Sequence, residues 1–375
     1  MQKHDLACTE VWGGNRCADC AVAVAGLDAW LYSKPCGESG SGGDVYYVSS
    51  CATGRIARLM VADVAGHGEA VADITAQLRT LMRRHLNQID QSALVQSMNQ
   101  QFAELFGDGC CATALVTTFF APSNHLSLCN AGQPPPLLYR AALKQWSFLD
   151  QHCAGGAEFN DVPLGAMDMV NYDQFDVKLN AGDLVLCFTD SLIEALDQHG
   201  ASLGLAGLLE LVRGIDVADA SRVVPQLMSA VSRHCGHDVS DDDLTIVLLR
   251  PSGCGARVPL RDRLLAPVRM MKNFLASLEG RGPMAWPEWS LASLGGMLFG
   301  PLNRRWSQSR TAYVLATRVY SSLPDPATVR TAQPRVRRRS ALVDVVVAAV
   351  ESRVAVVAVE TESASAAPVK VNSAA

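Results

Sequence analysis

Ten short runs rich in apolar residues, each four to ten residues long and bounded by turn residues, divide the first 250 residues. Runs of this length suit strands and are too short for most helices. They fall at 21–25, 44–49, 56–62, 111–120, 126–130, 137–141, 146–149, 174–179, 184–188 and 244–249. Helical spacing marks 70–86, where Val71, Ile74, Leu78, Leu81 and Met82 share a face, and then 93–106, 203–213 and 218–234. The helices come in consecutive pairs and do not follow each strand in turn, so the pattern predicts an α+β sandwich, not a chain of βαβ units. No Gly-x-Gly-x-x-Gly follows the first strand, which excludes a dinucleotide-binding reading.

Charge divides the chain at Arg250. Up to that residue there are 15 basic and 29 acidic side chains, net −14; beyond it there are 17 and 8, net +9. The predicted organisation is a short N-terminal segment (1–19), an acidic domain (20–250) and a basic C-terminal extension (251–375). The extension opens with Gly253, Gly255 and Pro259 as a linker, continues through an amphipathic stretch at 261–278, and carries Trp286, Trp289 and Trp306. It ends in an Ala, Val and Ser-rich tail of disorder-prone composition with Arg335, Arg337, Arg338 and Arg339 clustered. Three readings of it stay open: peripheral contact with an anionic membrane surface, docking on the acidic domain or a partner, and a solvated extension. A membrane span at 341–359 is excluded by Asp344, Glu351 and Arg353. One short arginine run does not make a nucleic-acid interface, and none is expected.

The twelve cysteines form no framework of repeated pairs. The single Cys-x-x-Cys, Cys17 to Cys20, lacks the second pair a zinc site needs, so the thiols are read as reduced and ordinary. His4, Asp5, Thr9 and Glu10 break up any signal-peptide pattern, and a cytoplasmic location is expected.

Four aspartates stand beside apolar runs and close to turns: Asp44 after Gly42-Gly43, Asp63 after Leu59-Met60-Val61-Ala62, Asp190 after Phe188-Thr189, and Asp242 ahead of Leu244-Thr245-Ile246. Each alone reads equally well as a turn or helix-capping residue. Together, if they converge, they repel one another unless cations lie between them. Carboxylates without Cys or His ligands favour Mg²⁺ or Mn²⁺. Two such ions about 3.5–4 Å apart activate water and clamp a phosphoryl oxygen, which is the chemistry of direct phosphoester hydrolysis.

The order of motifs carries a family resemblance. Gly-Gly-Asp44, Asp63-Val64-Ala65-Gly66-His67-Gly68, Asn130-Ala131-Gly132-Gln133-Pro134-Pro135-Pro136-Leu137-Leu138, Pro163-Leu164-Gly165, Gly182-Asp183-Leu184 through Asp190, and Asp242-Asp243-Leu244-Thr245 resemble the SpoIIE/RsbU branch of the PPM phosphatases over about residues 20–250. The resemblance implies a four-layer α/β/β/α sandwich and a site of two Mn²⁺ or Mg²⁺ ions. In that site Asp63 bridges both metals, the Val64 carbonyl adds a ligand, and Asp44, Asp190 and Asp242 complete the set. Asp242 is selected over its fallback Asp243 by its place two residues before Leu244. His67 either protonates the leaving group or shapes the turn. Ser191, Gln133 and Val48 depart from the common family pattern without removing a proposed carboxylate.

The implied activity is metal-dependent hydrolysis of phosphoserine or phosphothreonine on a partner protein, with a small anti-sigma-factor antagonist in a partner-switching circuit as the partner class. The helices at 70–86 and 93–106 correspond to the pair implicated in switching metal occupancy in that family. The alternative is a catalytically weak module that binds a phosphoprotein on the same surface. Other chemistries lack their motifs: no cysteine is followed six positions later by arginine, and no Gly-x-Ser-x-Gly, Walker loop or His-Glu-x-x-His occurs.

Overall fold

Successive residues of a strand face opposite ways, so a run that is apolar at every position must be covered on both sides. The computed structural model shows that cover. It describes residues 2–5, 11–24, 26–36, 40–50, 56–66, 71–84, 90–107, 110–149, 162–167, 170–236 and 242–252. The C-terminal extension from 253 onward and His67 lie outside the described residues.

In chain order the strands are β1 (Gln2–Asp5), β2 (Val11–Gly14), β3 (Ala18–Val24), β4 (Leu27–Lys34), β5 (Asp44–Ser50), β6 (Ile56–Val64), β7 (Ala112–Phe120), β8 (His125–Ala131), β9 (Leu137–Arg140), β10 (Gln145–Phe148), β11 (Gln174–Lys178), β12 (Leu184–Phe188) and β13 (Leu244–Pro251). They form one sheet in the order β1-β3-β4-β13-β12-β9-β10 and a second in the order β11-β8-β7-β6-β5-β2. The described helices are α1 (Ala72–Arg84), α2 (Gln91–Phe106), the single turn α3 (Ser191–Glu194), α4 (Gly204–Arg213) and α5 (Ala220–Cys235).

Three apolar layers separate these elements. Leu31, Tyr46, Leu59, Val61, Leu115, Phe119, Val185 and Val247 fill the space between the sheets. Tyr47, Met60 and Val64 face the other way, onto Leu78, Met82, Met98 and Phe102 of α1 and α2. Leu186, Phe188 and Ile246 meet Leu208, Val223 and Val231 of α4 and α5. The strand β6 displays the principle within four residues, as Leu59 and Val61 point between the sheets and Met60 and Ala62 point to the helices. The result is the expected four-layer α/β/β/α sandwich.

Helix ends follow local chemistry. The Asp90 side chain accepts from Ala93 N (3.0 Å) at the start of α2, and Asp219 accepts from Ser221 N (3.0 Å) at the start of α5. α5 stops at Gly236, whose φ of +77° suits the left-handed cap.

All ten expected strands are present, with ends shifted by up to three residues. Three further strands, β1, β2 and β4, complete the sheets. β4 carries a four-residue apolar run, Ala29-Trp30-Leu31-Tyr32, flanked by Asp28 on one side and Ser33 and Lys34 on the other. β1 and β2 lie within the segment 1–19, have little apolar alternation, and are strands because they pair with β3 and β5. The sheets therefore take in residues ahead of residue 20.

One motif acid has a purely architectural setting. Asp183 is buried at 1% exposure, and Oδ2 accepts from Arg140 Nη1 (2.8 Å) and from Asn180 N (2.9 Å). Its Oδ1 accepts from Ala141 N (2.9 Å). A carboxylate saturated with donors ties the turn before β12 to the end of β9. Asp183→Ala strands the half-buried Arg140 guanidinium and the amides, and is expected to lower unfolding free energy by about 3 kcal/mol, read by urea denaturation.

Candidate metal and phosphoryl-transfer site

The pairing of β5 with β6 sets Asp44 directly opposite Asp63. Like charges facing each other across a ladder are unfavourable, and little water reaches these to screen them. Asp44 is 3% exposed and Asp63 is half-buried. Thr189, at the end of β12 in the other sheet, donates its hydroxyl to Asp44 Oδ2 (2.9 Å). Thr189 Oγ1 in turn accepts from Thr245 N (2.9 Å), so the bond joins both sheets through the carboxylate. Asp44 Oδ1 is buried and has no hydrogen-bond partner.

The other sequence-predicted residues gather at the same end of the sandwich. Asp190 follows Thr189 and precedes α3; its backbone carbonyl accepts from Ile193 N (2.8 Å), while its side chain makes no capping hydrogen bond. The capping role that α3 invites is therefore not taken up. Val64 closes β6, one residue after Asp63, and its amide donates to Gly43 O (3.2 Å).

Asp242 and Asp243 have different surroundings. Asp243 is 3% exposed, and its carboxylate accepts from Gly43 N (2.5 Å) and Cys36 N (2.6 Å). Asp242 is exposed, and its Oδ1 accepts from the Asp243 amide (2.8 Å). One acid of the pair anchors the backbone ahead of Asp44, and the other remains at the surface of the site.

Glycine is required where these backbones meet. A Cβ on Gly42 would stand 2.4 Å from Asp243 Oδ1, and one on Gly43 would stand 2.5 Å from Gly66 O and 2.8 Å from Val64 O. The pair Gly42-Gly43 is thus what lets the loop before Asp44 come against the turn that follows Asp63.

Electrostatics records the crowding. Burial, then the charges of Asp190, Asp242, Asp243 and Glu194, raise the Asp63 carboxyl from 3.8 to about 8. Burial and Asp63 push Asp44 well above the usual carboxylate range. Glu194, one turn after Asp190, was missed by the sequence reading, although its place in Ser-Leu-Ile-Glu was visible. Thr189 was missed as well; its signal is a hydroxyl at the end of an apolar strand beside a candidate ligand. Burial and then Asp63 also raise the neighbouring Cys111 thiol, which keeps it neutral. Cys17 is exposed and Cys20 buried, so the Cys-x-x-Cys does not present two thiols to one site.

The departures from the family pattern sit around this centre. Gln133 Nε2 donates to Thr113 Oγ1 (2.9 Å), and Thr113 is the residue paired with Asp63 on β7. Ser191 Oγ lies 3.4 Å from Thr189 Oγ1. Val48 is buried between the sheets.

Among the described residues, no three His, Cys, Asp or Glu side chains are drawn into a ready-made metal cluster. The donor set nonetheless fits a hard divalent cation: oxygen donors throughout, a buried carboxylate oxygen lacking a partner, and neighbouring acids whose repulsion of Asp63 a cation would relieve.

A family model, Stage II sporulation protein E (SpoIIE), matches residues 53–252. The chain belongs to the SpoIIE family. Among solved structures, the RsbU and RsbW domains of Rv1364c from Mycobacterium tuberculosis are similar at 24% identity and a TM-score of 0.53, covering 65% of this chain and 64% of that one. The PP2C phosphatase domain of SpoIIE from Bacillus subtilis with a fragment of its regulatory domain gives 18% identity and a TM-score of 0.48, covering 59% and 63%. The match thus spans less than two thirds of each of those two chains. The first likeness shows that this SpoIIE-family chain shares the fold of that mycobacterial structure. Among the described residues, no helix is long and apolar enough to cross a membrane.

Two predictions concern stability without metal. Asp63 holds its proton more tightly folded than unfolded, so between about pH 4 and pH 8 the folded state binds more protons and stability falls as pH rises. The chelated protein should show a falling Tm over that window by scanning calorimetry; Asp63→Asn should flatten the fall, and Mn²⁺ should reverse it near pH 8. In addition, Asp243→Ala should lower metal-free stability by about 1–3 kcal/mol through loss of two buried amide partners. Asp242→Asn should leave it within about 0.5 kcal/mol and weaken Mn²⁺ binding instead.

Proposed function

We propose that this SpoIIE-family chain is a metal-dependent protein phosphatase that hydrolyses phosphoserine or phosphothreonine on a partner protein. The observation that carries the reading is the pairing of Asp44 opposite Asp63 with a buried, unpartnered oxygen, near enough to Asp190 and Asp242 for their charges to raise the Asp63 carboxyl. Asp44, Asp63, Asp190, Asp242 and the Val64 carbonyl are the residues assigned to hold two Mn²⁺ or Mg²⁺ ions, with Asp63 shared between them. When bound, the ions supply an activated water and neutralise charge on the phosphoryl group.

The protein's own part is preorganisation. Thr189 fixes one oxygen of Asp44 and leaves the other for a cation. Asp243 fixes the loop ahead of Asp44 through two amides. Asp242, whose carboxylate is exposed, closes the site on its solvent side. Because these groups project from strand ends or adjoining turns, their positions follow from sheet register and require little rearrangement.

By family resemblance the partner is a small anti-sigma-factor antagonist, and the circuit a bacterial partner switch. The similar mycobacterial protein carries an RsbU domain and an RsbW domain, which is in keeping with that setting. The rival reading, a binding module that sequesters a phosphoprotein, shares the surface and differs in turnover.

The test is hydrolysis of p-nitrophenyl phosphate and a phosphoserine protein with Mn²⁺ or Mg²⁺, before and after chelation. Metal should stimulate turnover, chelation should remove it, and Asp63→Asn should reduce it about a hundredfold or more. Folded protein with no metal-stimulated turnover would leave the binding module as the better account.

A further inference from the structure

The residues that position Asp44 include Asn15, which lies, like Asp44 itself, ahead of the span matched by the family model. Asn15 follows β2, a strand pressed so closely on β5 that a Cβ on Gly13 would lie 2.5 Å from Tyr46 O and one on Gly14 would lie 2.8 Å from Tyr46 Oη. That contact delivers Asn15 to the loop ahead of Asp44. There it is 7% exposed and holds Gly42 from both sides. Its backbone carbonyl accepts from Gly42 N (2.8 Å), and its Nδ2 donates to Gly42 O (3.1 Å).

The same Nδ2 donates to Thr75 Oγ1 of α1 (2.9 Å). Thr75 is fully buried, and one turn later Arg79 Nη1 reaches Gly13 O at 3.5 Å. Both amide hydrogens of one side chain are therefore committed, one to the loop and one to the helix. The next residue along, Gly43, is held by Asp243 and Val64. Every peptide group between Ser41 and Asp44 thus has a fixed partner, and Asn15 connects that loop to α1.

We propose that Asn15 is a positioning residue for the metal site: it fixes the Gly42 to Asp44 loop against helix α1 and so sets where the Asp44 carboxylate stands. The inference rests on the metal-site reading above. It reaches the cation only through Asp44, so its signature is metal affinity, not the chemical step alone. Hydrogen-bond partners that orient a metal ligand typically account for about 10–100-fold in affinity.

The experiment is calorimetric titration of the full chain with MnCl₂, at a temperature where far-UV circular dichroism shows each variant folded. Wild type should bind, and Asp63→Asn should abolish the binding. Asn15→Ala should raise the Mn²⁺ Kd about tenfold. Thr75→Val, which removes the helix end of the clamp, should raise it too, and the double variant should be no weaker than Asn15→Ala, because both changes break one connection.

A folded Asn15→Ala protein with the wild-type Kd overturns the proposal, whatever its Tm, since a merely structural asparagine changes stability and leaves affinity alone. A raised Kd in Asn15→Ala with no change in Thr75→Val removes α1 from the proposal and supports the clamp on the loop. If Asn15→Ala does not fold, Thr75→Val decides: a raised Kd supports the connection and an unchanged one overturns it. Failure of wild type to bind Mn²⁺ is a different result, because it sinks the metal-site reading before any Asn15 variant is considered.

Discussion

Two carboxylates facing each other across a β-ladder, in a space closed to most water, are the constraint on which the rest of this structure turns. Neither strand can shift to relieve the repulsion. A slip of one residue in β5 or β6 would turn Tyr47 and Met60 away from α1 and α2 and send Tyr46 and Leu59 out of the space between the sheets. The hydrophobic layers therefore hold Asp44 against Asp63 at an electrostatic cost, expressed in the raised carboxyl of Asp63. A divalent cation between such groups turns the cost into binding energy. The stability of the fold and the repulsion between the two acids are two sides of one arrangement.

The surrounding polar groups share out the work of keeping that arrangement in place. Thr189 and Asp243 both come from the sheet that does not contain Asp44, and both reach across the sandwich to it or to its loop. They tie the two sheets together at the end where the acids gather. Gly42 and Gly43 permit this only because they have no side chain, for a methyl group at either would meet an oxygen well inside contact distance. A glycine pair that reads in the sequence as a flexible turn is here a site of close backbone approach, with its peptide groups hydrogen-bonded on several sides.

Acidic residues at motif positions are not equivalent. Asp183 and Asp243 are buried and saturated by backbone amides or an arginine, and each stabilises a turn. Asp190 and Asp242 act by charge on Asp63, and Asp242 remains exposed. The difference lies in how many donors each carboxylate finds within its own fold. Asp44 belongs to both classes, since one of its oxygens is satisfied by Thr189 and the other is not.

The sequence by itself determined the layered sandwich, because runs apolar at every position and helices with one apolar face leave few ways to exclude water. It also singled out Asp44, Asp63, Asp190 and Asp242 as candidates, since each adjoins a strand whose run is unmistakable. Strands β1 and β2 were not legible, because their composition is polar or glycine-rich and pairing, not propensity, makes them strands; β4, with Ala29-Trp30-Leu31-Tyr32 apolar, was legible in the sequence. The sequence could choose between Asp242 and Asp243 only by register. The tertiary structure gave them different surroundings, placing the amides of Cys36 and Gly43 within reach of Asp243 alone. Asn15, Thr189 and Thr245 come against Asp44 or its loop in the same way. Hydrogen bonds between residues 60, 145 or 200 positions apart leave no local pattern in a chain, because their geometry exists only once the sheets have packed.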